Sequence, residues 1–125
     1  MLSSSILIVD DNPLIRHSLR SWISQDEGWI VCGEADNGKA AVEKVKALHP
    51  DIVLMDLQMP IMNGLEAGRQ IALLAPGTAI VMFTMHSCDQ LVRDARAVGI
   101  QQVVSKSERL NENLLAALKN VTARP

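Results

Sequence analysis

Three aspartates stand where two apolar runs stop: Asp10 and Asp11 close ILIVDD, and Asp56 closes DIVLMD. Both runs are too short for a helix and rich in β-branched residues, so each reads as a buried strand delivering carboxylates to one sheet edge. On neighbouring parallel strands the three charges would converge, and like charges within a few ångströms push one another's pKa upward and disfavour full ionisation. A hard divalent cation relieves that repulsion. Mg²⁺ takes oxygen ligands, keeps several waters and binds with few carboxylates plus a phosphate. Three carboxylates balanced by one Mg²⁺ and one nearby lysine leave a near-neutral site able to accept a phosphoryl group.

The elements that would hold these residues alternate strand-like and helix-like five times, the pattern of a doubly wound parallel sheet with helices on both faces. Asn12 can cap a first helix with Pro13 at its first position, and Ile15, Leu19, Trp22 and Ile23 recur at helical spacing. WIVCGE at 29–34 reads as the second strand, followed by a helix from about Gly38 to Leu48 with Ala41, Val45 and Leu48 inward. His49-Pro50 ends that helix. DIVLMD is the third strand, and after a loop a helix runs from about Gly64 to Leu74, broken at Pro76-Gly77. TAIVMFT at 78–84 is the fourth strand, almost wholly apolar and so central. A fourth helix spans about Cys88 to Val98, with Leu91, Ala95 and Val98 on one face, and Gly99 suits a left-handed cap. QQVVS at 101–105 is a weaker fifth strand. Ser107 can cap a last helix whose Leu110, Leu114, Leu118 and Val121 keep 3-to-4 spacing.

In open α/β sheets, ligands bind beyond the carboxyl ends of the strands. Asp10 and Asp11 end the first strand, Asp56 the third and Thr84 the fourth, while Lys106 follows the fifth. Each alone has a plainer reading. A lone strand-end aspartate forms turns or caps helices, Thr84 is a β-branched strand residue and Lys106 a solvated lysine. All on one edge, they read as a site.

Composition bounds the rest. With 125 residues, 48% of them hydrophobic and spread in short blocks, the chain suits one domain. No run approaches a membrane span and the N-terminus lacks a secretion signal, so a cytoplasmic location and no membrane partner are expected. A net charge of −2, from 12 basic and 14 acidic residues, offers no footprint for nucleic acid. The two cysteines, Cys32 and Cys88, read as buried free thiols. Met59, Met62 and Met85 read as flexible packing at a mobile rim.

IVDDNP, LMDLQMPIMNG, FTMH and VVSK resemble the response-regulator receiver domain of two-component signalling, over essentially the whole chain: 1–122 as the domain, 123–125 as the start of a linker or the chain's end. GEADNGKAAVEK and the TMH after the fourth strand are most similar to receivers of the NarL/LuxR type. The resemblance implies a flavodoxin-like (βα)5 fold with a five-stranded sheet in the order 2-1-3-4-5. It implies that Asp56 takes a phosphoryl group from a sensor histidine kinase, as a phosphoacceptor catalysing only its own phosphorylation and dephosphorylation. It also implies that Asp11, Asp56 and the Gln58 backbone carbonyl coordinate Mg²⁺, Asp10 helping directly or through water, with Mn²⁺ as a substitute. Lys106 and Thr84 then engage the phosphoryl oxygens. Met59-Pro60 and Asn63-Gly64 shape the intervening loop. His86 either tunes water access to the acyl phosphate or is an exposed loop histidine.

Two positions depart from the pattern. The usual aromatic three before the lysine is Val103, which has no ring to swing. The usual lysine-proline pair is Lys106-Ser107, and a cis bond without proline costs about 2.5–4 kcal/mol, so a trans bond or a different loop is expected. Phosphorylation is still expected to repack the face of the fourth helix, fifth strand and fifth helix through Thr84 and residues 85–90. Homodimers would use that face or the first and fifth helices. DNA would be reached only through a helix-turn-helix domain beyond this chain. Other classes fare less well. A haloacid-dehalogenase-type phosphatase needs an acid where Gln58 stands, and a nucleotide or flavin binder needs a glycine-rich loop where VDDNPL stands. A stand-alone receiver, or a receiver-shaped module that works unphosphorylated, with Val103 as its mark of divergence, remains the alternative.

Overall fold

The computed structural model describes residues 3–85, 87–106 and 110–122. Five strands, β1 (Ser4–Val9), β2 (Trp29–Ala35), β3 (Ile52–Asp56), β4 (Ala79–Thr84) and β5 (Gln102–Ser105), form one parallel sheet in the order β2-β1-β3-β4-β5. Helices α1 (Pro13–Ile23), α2 (Gly38–Leu48), α3 (Gly64–Leu74) and α4 (Asp89–Val98) fill the four crossovers, and α5 (Leu110–Thr122) follows β5. This is the flavodoxin-like architecture expected.

Side chains alternate across each strand, so the sheet separates two cores. Ile6, Ile8, Ile52, Leu54, Val81, Phe83 and Val104 face Leu19 and Ile23 of α1 and Leu114, Leu118 and Val121 of α5. Leu7, Val9, Val53, Met55, Ile80 and Met82 face Ala41, Val42 and Val45 of α2, Ala67 and Ile71 of α3, and Ala95 of α4. β3 and β4 are buried along their whole length, as their unbroken apolar sequence requires.

Caps fix where the helices begin and end. Asn12, Asn37 and Asn63 each accept a backbone N–H of their helix's first turn, and Gly99 closes α4 at φ 107°. His49, before Pro50, ends α2 in the left-handed region at φ 48°. Three expectations need correction. Leu48 is 39% exposed, because it sits on the last turn of α2, past the buried stripe that ends at Val45. Cys88 is exposed rather than buried, standing at the N-cap of α4 where the chain leaves the sheet edge. Met59 and Met62 pack against the α2–α3–α4 core, but Met85 is 61% exposed. The Ser107 cap and the Lys106-Ser107 bond lie outside the described residues.

Candidate functional site

Strand register brings the polar residues together. Val9 pairs with Met55, so Asp10 comes level with Asp56, and Asp56 in turn pairs with Phe83. Thr84 pairs with Ser105, which places Lys106 one residue beyond the ladder, its N–H donating to the Thr84 carbonyl at 2.7 Å.

Lys106 bridges two carboxylates. Its Nζ lies 3.3 Å from Asp10 Oδ2 and 3.3 Å from Asp56 Oδ1, and 4.8 Å from the centroid of the Phe83 ring beneath it. Asp10 and Asp56 are buried, and Thr84 is buried at the end of β4. Asp11 is exposed, yet one oxygen from each of Asp10, Asp11 and Asp56 lies within 4.8 Å of the others. The Asn12 N–H donates to Asp10 Oδ1 at 2.8 Å, fixing that carboxylate's other side.

Electrostatics follow from this crowding. Burial pushes the Asp56 carboxyl above its ordinary range; Lys106 pulls it down, Asp10 pushes it up again, and the balance stays upward. One lysine does not neutralise three carboxylates. The donor set is oxygen only, carries excess negative charge and is open to solvent on the Asp11 side, which fits a hard cation such as Mg²⁺ and no soft one.

The loop from Leu57 to Asn63 walls the site. The Gly64 N–H donates to the Leu57 carbonyl at 2.7 Å, and a Cβ on Gly64 would overlap the Asp56 carbonyl oxygen, so glycine is required there. Gln58 sits exposed in this loop, two residues past Asp56. Ile61 holds φ 70° and is 78% exposed. His86 lies outside the described residues. Val103 is partly buried against the α2–α3–α4 core.

Two side chains at the site are ones the sequence did not single out. Phe83 passes as one more apolar residue of β4, although its parity with Asp56 across the register signals that it lies under Lys106. Arg16 passes as a solvated helix residue, yet its Nη1 donates to the Asp10 carbonyl at 2.6 Å.

A parallel sheet in this order, with acidic residues and a lysine gathered at its carboxyl edge, defines a phosphoryl-accepting signalling domain by class. Residues 6–119 match the response regulator receiver domain, and the chain belongs to that family. It is 38% identical to the transcriptional regulatory protein YdfI of Bacillus subtilis, over 98% of this chain and 59% of that protein. It is also 38% identical to the chemotaxis protein CheY of Thermotoga maritima, over 84% of this chain and 87% of that protein. The receiver domain of a putative response regulator NarL from Mycobacterium tuberculosis superposes with a TM-score of 0.89 at 28% identity, covering 99% of this chain and 100% of that one. The chain thus spans about three fifths of YdfI's length. Receiver domains bind Mg²⁺ through acidic residues and work with histidine kinases. Among the described residues, no helix is long and apolar enough to cross a membrane.

Proposed function

We propose that Asp56 accepts a phosphoryl group from a phosphohistidine on a sensor kinase. A carboxylate oxygen attacks phosphorus, the P–N bond breaks, the imidazole leaves with a proton, and an acyl phosphate remains on Asp56. The observation that carries this reading is Lys106 held 3.3 Å from both Asp56 and Asp10, a point charge placed to engage the phosphoryl oxygens. Asp10, Asp11 and Asp56, with the Gln58 backbone carbonyl, would hold Mg²⁺, and Mn²⁺ as a substitute. Bound there, the ion supplies positive charge that offsets the carboxylates and the incoming phosphoryl oxygens. Thr84 offers its hydroxyl to the same group and links it to β4.

Of receiver subfamilies we favour the NarL/LuxR type, supported by GEADNGKAAVEK and by the likeness to the NarL receiver domain across nearly the whole chain. On that reading 1–122 form the receiver and 123–125 lead toward a helix-turn-helix domain that controls transcription. The face of α4, β5 and α5 changes on phosphorylation, and dimers form through it or through α1 and α5. The cytoplasm, where such kinases present their phosphohistidine, is the working compartment.

The test is intact mass after incubation with a small acyl phosphate and Mg²⁺, for the native protein and for Asp56→Asn. An adduct on the native protein alone is expected; one on both, or on neither, removes Asp56 from this role.

A further inference from the structure

At the carboxyl end of β1 the sheet holds only one of the next residue's two backbone polar groups. Asp10 N–H still donates to the Ala35 carbonyl of β2 at 3.1 Å, but the Asp10 carbonyl lies past the last laddered residue. Arg16, on the first turn of α1, takes it: Nη1 donates to that oxygen at 2.6 Å, while Nε donates to Glu34 Oε1 on β2 at 3.0 Å. The Arg16 side chain is 19% exposed. Arg20, one turn later, donates to the other Glu34 oxygen at 2.7 Å. Among the described residues, Arg16 is the arginine that reaches Asp10's backbone.

The carbonyl matters because a peptide unit is planar and turns as one body. The unit joining Asp10 to Asp11 sets ψ of the first and φ of the second, so holding its oxygen restrains how the two Cα–Cβ bonds are set relative to one another. The fork of a guanidinium suits this task, since two nitrogens engage two partners in one plane. Glu34 then serves as the brace, itself held by a second arginine from α1.

We propose that Arg16 is a positioning residue for the cation site, gripping the Asp10–Asp11 peptide from α1 with Glu34 on β2 as its anchor. The proposal rests on the reading that Asp10 and Asp11 hold Mg²⁺. It assigns different parts to two arginines that share one carboxylate: Arg20 ties α1 to β2, and Arg16 also orients the metal ligands.

Mg²⁺ titration by calorimetry on the native protein, Arg16→Ala, Arg16→Lys and Arg20→Ala separates them, with hydrogen exchange of the Asn12 amide measured metal-free. Arg16→Ala is expected to weaken Mg²⁺ about tenfold, the usual scale for losing a group that orients a metal ligand. It also speeds exchange of the Asn12 N–H, which bonds the Asp10 carboxylate. Arg16→Lys keeps a charge opposite Glu34, and so the fold, but lacks the second nitrogen; it too should bind Mg²⁺ more weakly. Arg20→Ala should bind as the native protein does. If both Arg16 variants that fold bind Mg²⁺ like the native protein, or if Arg20→Ala weakens binding equally, the proposal is overturned. If the native protein binds no Mg²⁺, it is the reading of the cation site that falls.

Discussion

Asp56 is a carboxylate whose surroundings work against its own charge. Its native pKa is raised, by burial first and by Asp10 after Lys106 has been offset. A carboxyl raised above its unfolded value contributes stability that is complete below the unfolded pKa and lost as pH rises through the folded one. In metal-free buffer at neutral pH, Asp56→Asn should therefore be more stable than the native protein, by on the order of 1 kcal/mol. The gap should close as pH falls through the native pKa of Asp56, and Mg²⁺ should reverse the order by stabilising the native protein more. Urea midpoints at several pH values, with and without Mg²⁺, check the sign. Ile61 is a second residue at odds with its position: a β-branched side chain at φ 70°, 78% exposed, gains little burial in return for left-handed backbone. Ile61→Asn should raise stability by about 1 kcal/mol, read from the urea midpoint at unchanged slope. The carboxylates were legible in the sequence because each ends an apolar run, and with Thr84 and Lys106 they fall at one end of the strands, which turn-forming or capping by any one of them does not explain. Arg16 and Phe83 were not, because a helix arginine and a strand phenylalanine are ordinary until register and backbone geometry show what they touch.

At the scale of elements, the loop between β3 and α3 does most to shape the site. Asn63 caps α3, and the Gly64 N–H bonds the Leu57 carbonyl, so the helix start is drawn against the strand end that bears Asp56. A Cβ at Gly64 would strike the Asp56 carbonyl oxygen, which is backbone and cannot turn aside. Gly64→Ala should cost about 1–3 kcal/mol by overpacking and slow acyl-phosphate-driven labelling of Asp56. A variant that labels at the native rate would show that the loop yields without moving the carboxylate. Helices and strands were legible because their signals are local: an asparagine cap, a glycine stop, period 3.6 against unbroken apolar runs. Exposure at their ends was less so. Leu48 and Cys88 continue or start an apolar stripe by spacing, but Leu48 stands on the last turn of α2 over Gly33 of the edge strand β2 and Cys88 is the N-cap of α4, and spacing carries no information about what covers such positions.

For the whole molecule, the sheet divides the site between two cores. Asp56 follows Leu54, and Lys106 follows Val104, so both continue the rows that face α1 and α5. Thr84 follows Met82, whose row faces α2, α3 and α4, the core against which Val103 packs. Chemistry thus centres on the α1–α5 side, while Thr84, like Asp11 after Val9, continues a row that faces the α2–α3–α4 core. With no aromatic ring at Val103 to relay motion, that backbone connection, tightened by Lys106 N–H on the Thr84 carbonyl, is the expected route for a phosphoryl group to alter α4 and β5. The opposite edge is tied independently, Asp51 holding Ser5 and Thr78 holding the Pro50 carbonyl, so little should reach it. Amide spectra of the native protein should shift on Mg²⁺-dependent phosphorylation between Met85 and Lys106 and stay fixed at Ser5, Asp51 and Thr78. Thr84→Ala should still gain the phosphoryl adduct by mass, at a lower rate, yet lose most of the shifts in α4. Full shifts in Thr84→Ala would mean that the change crosses the sheet by another path, through Lys106 and β5 alone.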